Sequence, residues 1–349
     1  MKGKLREKAK TLPDLPGVYF MRDTLQNIIY VGKSRHLKTR VSSYLGNLKH
    51  ERTKVKRMVN AICDFEYIVT DTELDALILE CRLIKRHQPI YNTLLKNDKK
   101  YRFIKVVHKN GLARLEVAYE KDEEAVCFGP YDLPYLLQRA VDTLNSYCKL
   151  PTCTKILPKE DCLAYLLNKC NASCENVSVL NDTLERVYAF LKGNDSSILD
   201  FYKAQMTEAS ATLDFEKAIY YREQLNSLKM LGYRRKAIEL SQKQSRGIAL
   251  LKCPTHGFKL YILKGTTIQF TKLIKTPSRQ ILKNILMNMY QIYLRDSFEE
   301  RHVLEKLEID EALIMYFYLH TNTACCYYNL EKYDFVKIYD KIIDFYFLN

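Results

Sequence analysis

Gly17-Val18-Tyr19-Phe20-Met21-Arg22 and, after Asp23-Thr24-Leu25-Gln26-Asn27, Ile28-Ile29-Tyr30-Val31 are two short runs rich in β-branched and aromatic residues, parted by turn-forming ones. That pattern predicts an antiparallel hairpin. A helix is expected next, from about Leu37 to Leu45, and then a strand over Phe65-Glu66-Tyr67-Ile68-Val69. Thr72-Glu73 opens a further helix, in which Leu74, Leu77, Ile78, Cys81 and Ile84 recur at helical spacing. Together these segments make a small α+β domain ending near Asn92.

The hairpin lets Tyr19 and Tyr30 share one sheet face. Lys33, Arg35 and Arg40 follow the second strand, which puts cations beside the two phenols. Hydrolysis of a phosphodiester needs an activated water, a base, a cation against the developing charge and help for the leaving oxygen. One divalent metal supplies the last two. Tyrosine is a weak base near neutral pH, and an adjacent ammonium such as Lys33 favours its phenolate.

The wider composition fits a polyanion partner. Residues 1–60 hold fifteen Lys and Arg against four Asp and Glu, within a chain of net charge +14. Lysines and arginines displace the counterions condensed on a phosphate backbone. At 349 residues, the chain has room for two to four units. Its 47% hydrophobic and 28% charged residues, with no apolar run near the ~18 residues of a membrane span, argue against a membrane protein. The start, MKGKLREKAK, lacks the apolar core of a secretory signal, so a cytoplasmic protein is expected, in which eleven cysteines read as thiols or metal ligands.

Four parts are expected: 1–95, 96–182, 183–236 and 237–349. In the second, Cys153, Cys162, Cys170 and Cys174 form C-x8-C-x7-C-x3-C, enough for a tetrathiolate site holding an iron–sulfur cluster or structural zinc. Cys148 is a substitute ligand, and Cys63, Cys81, Cys127, Cys253, Cys325 and Cys326 are assigned to packing. The third reads as two helices joined near Thr212, with Phe215, Ala218, Ile219, Leu225 and Leu228 on one face. The fourth begins with strand-like runs (GIALL, FKLYIL, IQFTKLI) and turns helical from about Arg279. No role is assigned to it.

GVY, IYVGKS, LKTRVSSYL, ELDALILECRLIKRHQPIYN and LLKNDKKYRFIKV together resemble the N-terminal half of the UvrC family of excision nucleases, which opens with a GIY-YIG module. That resemblance implies a three-stranded antiparallel sheet flanked by helices and one Mg2+ or Mn2+ held by a helical glutamate. Carried over by motif, Glu80 is the metal ligand and Asn92 the site's amide. Tyr30 is the base with Lys33 as its partner, Arg40 the phosphate clamp, and Tyr19 and Tyr44 supporting hydroxyls. It also implies an iron–sulfur cluster at the four cysteines. LDFEKAIYYREQLNSLK resembles the UVR motif, which implies docking on UvrB with Phe215 as anchor and Asp214, Glu216 and Arg222 as flanking charges. The expected substrate is damaged double-stranded DNA.

Complete members of the family continue into an RNase H-like nuclease and a helix-hairpin-helix element. This sequence is expected to lack both, like the shorter homologue Cho, and so to make only the 3′ incision. Singly, each signal has an ordinary alternative: packed hairpin tyrosines, a rim glutamate, four buried thiols, a helix packed on its own domain. Two other functions remain open, a non-catalytic adaptor for DNA and UvrB and a stand-alone nuclease of a mobile element.

Overall fold

The computed structural model describes residues 2–46, 53–93, 95–96, 101–109, 112–151, 159–171, 176–255, 257–275, 278–293, 306–331 and 335–348. They form two compact units, 1–97 together with 237–349, and 98–236.

The chain starts with α1 (Lys2–Lys10), β1 (Gly17–Arg22), β2 (Ile28–Ser34), α2 (Leu37–Leu45), α3 (Thr53–Ala61), β3 (Asp64–Val69) and α4 (Glu73–His87). The strands form an antiparallel sheet of order β2-β1-β3. Being central, β1 is buried along nearly its whole length. Gly17 is needed there, because a Cβ would lie 2.3 Å from the Ile68 carbonyl oxygen of β3. The lysine-rich start is a helix rather than a bare charged tail: Leu5, Ala9 and Leu12 are buried with Tyr19, Leu37 and Phe65. Lys8 donates to Asp64 and to the Phe65 carbonyl.

Helix α4 begins where its sequence marks a start. Thr72 caps the Asp75 N–H and Asp75 reaches back to Thr72, while Glu73 and Asp75 in the first turn and Lys85, Arg86 and His87 in the last complement the helix dipole.

The unit spanning 98–236 holds β4 (Arg102–Lys109), β5 (Leu112–Ala118) and β6 (Cys127–Tyr131), an antiparallel sheet of order β5-β4-β6. Helices α5 (Pro134–Tyr147), α6 (Leu163–Leu166), α7 (Val177–Lys192), α8 (Ser197–Ala211) and α9 (Phe215–Lys243) follow. One core joins the sheet to α5, α7, α8 and α9 through Ile104, Leu115, Leu144, Val187, Tyr202 and Leu228. The expected shared face on α9 is split: Leu225 and Leu228 are buried, whereas Phe215 and Ile219 are exposed. At 3.6 residues per turn, the later pair has rotated away from the earlier one.

After α9 come β7 (Arg246–Lys252), β8 (Phe258–Lys264), β9 (Thr267–Ile274), α10 (Arg279–Tyr293), α11 (Lys306–Thr321), β10 (Cys325–Asn329) and α12 (Phe335–Leu348). The four strands form an antiparallel sheet of order β10-β7-β8-β9. Strands β7 and β8 are buried on both faces, which explains their near-continuous apolar runs. Ile248, Leu260 and Ile262 meet α10 and α12 on one side. Ala249, Leu251, Tyr261 and Leu263 meet Leu74 and Ile78 of α4 and Met315 and Leu319 of α11 on the other.

Among the described residues, no helix is long and apolar enough to cross a membrane. Cys81, Cys253 and Cys326 are buried, and burial pushes their thiols up to about 12, about 11 and about 12, which keeps them protonated at neutral pH.

Candidate active site

Tyr19 on β1 faces Gly32 directly across the hairpin, and Tyr30 sits two residues before that glycine on the same sheet face. A Cβ on Gly32 would lie 2.4 Å from the Tyr19 hydroxyl and 2.9 Å from the Tyr30 ring, so only glycine leaves room for both phenols. Tyr44 arrives from α2 and completes a triangle of rings, with centroids 6.1 Å apart for Tyr19–Tyr30, 6.0 Å for Tyr19–Tyr44 and 6.3 Å for Tyr30–Tyr44. The hydroxyls of Tyr19 and Tyr44 are 3.0 Å apart. Arg40, one turn before Tyr44, lies 5.0 Å over its ring, and its charge acts on Tyr19 and Tyr30 as well. A single cation thus serves three phenols.

Burial raises the phenol of Tyr19 well above its ordinary value, and neighbouring Tyr30 and Tyr44 add to the shift. Tyr30 is raised for the same first reason, then by Tyr44 and the Glu80 charge, with Arg40 opposing. Lys33, expected to favour the Tyr30 phenolate, is paired with an acid of α4. The Lys33 ammonium is 2.6 Å from Glu73, which also takes Arg35 at 2.5 Å, so its charge is engaged at the start of α4.

The outer edge of β2 carries the other half of the site. Three alternate residues turn backbone groups outward there, and each is met by a different partner. The Ile29 carbonyl accepts from the Tyr91 N–H at 3.0 Å. Val31 donates its N–H to Asn92 Oδ1 at 2.9 Å, and its carbonyl accepts from Asn92 Nδ2 at 2.8 Å. Lys33 donates its backbone N–H to Glu80 Oε1 at 2.8 Å. The Asn92 amide, expected to belong to the reacting site, is therefore occupied at the strand edge beside Tyr30. Sequence reasoning missed Glu73 as the anchor of Lys33, although its seven-residue spacing from Glu80 puts both on one helix flank.

Glu80 fits a divalent cation. Burial raises its carboxyl above the usual range, opposed by the Lys33 N–H and by the charges of Lys33 and Arg40. Its second oxygen, Oε2, has no hydrogen bond among the described residues. A hard cation prefers such an oxygen ligand.

Of the four cysteines expected at a cluster, Cys162 and Cys170 are buried, while Cys153 and Cys174 lie outside the described residues. Among the described residues no group of three or more His, Cys, Asp or Glu is placed to hold a metal. Cys148 is partly buried, and burial pushes its thiol up to about 11.

At the turn between α8 and α9, Leu213 is 71% exposed, Phe215 62% and Ile219 47%, which makes an apolar tip on a helical hairpin. Glu216 and Arg222 are exposed beside it. Asp214, the third flanking charge, starts α9. It accepts the Lys217 N–H at 3.2 Å and pairs with its ammonium at 2.7 Å, capping α9.

Residues 15–93 match the family model of the UvrC-like GIY-YIG domain, and residues 196–230 that of the UvrB/uvrC motif. The chain is 36% identical over 326 residues to the UvrABC system protein C of Acetivibrio thermocellus, covering 86% of this chain and 52% of that protein. It is 34% identical over 327 residues to that of Alkaliphilus oremlandii, covering 86% and 53%. The chain thus spans about half the length of the curated relatives it matches. Among solved structures, the magnesium-bound GIY-YIG N-terminal endonuclease domain of UvrC from Thermotoga maritima is 39% identical, covering 27% of this chain and 100% of that one, with a TM-score of 0.24.

Proposed function

Because this chain belongs to the UvrC family by its GIY-YIG and UVR segments, we propose that it is a metal-dependent endonuclease that cuts damaged duplex DNA, making the 3′ incision of nucleotide excision repair together with UvrB. The observation that carries the reading is the convergence of Tyr19, Tyr30, Tyr44, Arg40 and Glu80 around the single strand β2.

In this reading, Arg40 meets the scissile phosphate, since its guanidinium lies over the phenol cluster and a planar donor fork suits phosphate oxygens. Tyr30 takes the proton from the attacking water. In the chain alone, burial holds the proton on that phenol, so the base becomes competent only with more positive charge beside it. Tyr19 and Tyr44 orient the reacting groups through their paired hydroxyls. Glu80 holds Mg2+ or Mn2+, which when bound neutralises charge building on the phosphate. Asn92 and Glu73 keep β2 and the Lys33–Arg35 pair in place.

Docking on UvrB is supported by the exposed Leu213, Phe215 and Ile219, with Glu216 and Arg222 setting register. The C-x8-C-x7-C-x3-C spacing, with Cys162 and Cys170 buried, supports an iron–sulfur cluster, with zinc as the alternative. Brown purified protein that contains iron supports the cluster. Colourless protein containing zinc replaces it.

The test is incision of an end-labelled duplex carrying one bulky adduct, with Mg2+, with and without UvrB. One cut on the 3′ side that depends on UvrB and is lost in Tyr30→Phe, Arg40→Ala and Glu80→Ala is the expected result. DNA binding without a cut would put a non-catalytic adaptor in its place. Cutting of undamaged DNA without UvrB would point to a stand-alone nuclease.

A further inference from the structure

Helix α4 presents three faces with three duties. Glu73 and Glu80 look toward β2. Ala76 and Ile84 are buried against Val18, Phe20 and Val31 of the N-terminal sheet. Leu74 and Ile78 are buried against the sheet and helix that follow residue 237. This last contact is not purely apolar. The hydroxyls of Tyr261 and Thr72 are 2.7 Å apart, and Tyr261 donates to Asp75 at 3.1 Å. Lys259 pairs with Asp71 at 2.8 Å and Asp75 at 3.0 Å. The capping box of α4 is therefore closed from β8, by a tyrosine with no exposed surface.

The opposite end of α4 is held as well. Arg82 makes two bonds to Glu311, at 2.7 and 2.8 Å, and Lys85 lies 2.6 Å from Asp310, both acids being on α11. Glu80 stands between these two sets of attachments. Two polar attachments about ten residues apart fix a helix in rotation and in axial position, which apolar packing alone fixes loosely. One residue of slip is about 1.5 Å along the axis, and a misplacement of about 1 Å at a reacting group costs about a hundredfold in rate.

We propose that residues 237–349 brace the candidate metal-ligand helix, with Tyr261, Lys259, Asp310 and Glu311 as positioning residues that set where the Glu80 carboxylate sits. This rests on Glu80 holding the cation, as in the function proposed above.

The test uses the full chain and Mn2+ alone, without DNA. Binding is followed by electron paramagnetic resonance, and amide hydrogen exchange is followed along α4. Tyr261→Phe keeps the ring and removes the hydroxyl. It is expected to weaken Mn2+ binding on the order of tenfold, as loss of an outer support of a metal ligand does, and to speed exchange in the first turns of α4. Glu311→Arg is expected to weaken binding similarly, and adding Arg82→Glu to that chain to restore it. Variants that lower the unfolding temperature but bind Mn2+ as the wild type does would overturn the proposal, leaving a purely structural contact. So would a wild-type chain that binds no Mn2+. A wild-type chain that binds Mn2+ tightly yet cuts no DNA would sink the nuclease reading while leaving the brace supported by its own readouts.

Discussion

The N-terminal sheet β2-β1-β3 and the C-terminal sheet β10-β7-β8-β9 meet α4 on different faces and by different means. The first packs Val18, Phe20 and Val31 against Ala76 and Ile84 and meets Glu73 and Glu80 at the border of β2, while on its other face Gly32 leaves room for the Tyr19 and Tyr30 rings. The second works by volume and by charge: Leu74 and Ile78 fill its surface, while Tyr261, Lys259, Asp310 and Glu311 hold the ends of the helix. The N-terminal sheet thus gives one face to the phenol cluster and the other to the helix, whereas the C-terminal sheet is filled by apolar side chains on both.

That contrast is broken or sharpened by substitution, starting with the largest effect. Leu74→Ala empties a fully buried position facing the C-terminal sheet and is expected to cost about 2–5 kcal/mol in denaturant unfolding. A loss below about 1 kcal/mol would mean that this sheet does not carry the helix. Gly32→Ala overfills the other side and is expected to cost about 1–3 kcal/mol. Cutting should disappear even where the chain stays folded, because the Tyr19 and Tyr30 rings must move. Retained cutting would remove the close-approach argument.

Alkaline pH loads both sheets. Burial raises the phenols of Tyr19 and Tyr261 above their ordinary values, so each remains protonated in the fold after it would ionise in the unfolded chain. Their contribution is fully present below about pH 10 and declines above it, by about 1.4 kcal/mol per pH unit for each phenol. Base-induced unfolding should therefore accompany the rise of tyrosinate absorbance; early ionisation of these phenols in a folded chain would contradict it. The smallest effect belongs to the helical hairpin. Phe215→Ala is expected to change stability by less than about 0.5 kcal/mol, since the ring is 62% exposed, while weakening UvrB binding. A large stability loss would return Phe215 to an ordinary packing role.

Much of the N-terminal module was legible because its signals are local. The hairpin, the helix from Leu37 to Leu45 and the Thr72 start of α4 each lie in one short window, and the structure has them there. Helix α1 was not, because Leu5, Ala9 and Leu12 are separated by lysines that outweigh them in any local reading. Within the candidate site the residue types were readable but two engagements were not. Whether Lys33 faces a phenol or Glu73, and whether Asn92 faces a ligand or Val31, depends on partners 40 and 61 residues away. The brace was the least accessible part, since Thr72 and Tyr261 are 189 residues apart and Arg82 and Glu311 are 229.

The Asn92 side chain has a consequence outside catalysis. By taking both the N–H and the carbonyl of Val31, it stands in for a neighbouring strand on the open border of β2, with Tyr91 and Glu80 covering the positions on either side. An uncovered border of this kind is a template for another chain to add itself and begin aggregation. Three side-by-side caps thus keep the sheet closed to self-association at the very strand that carries Tyr30, so an asparagine substitution there should show itself first in concentrated solutions, as a protein that clumps.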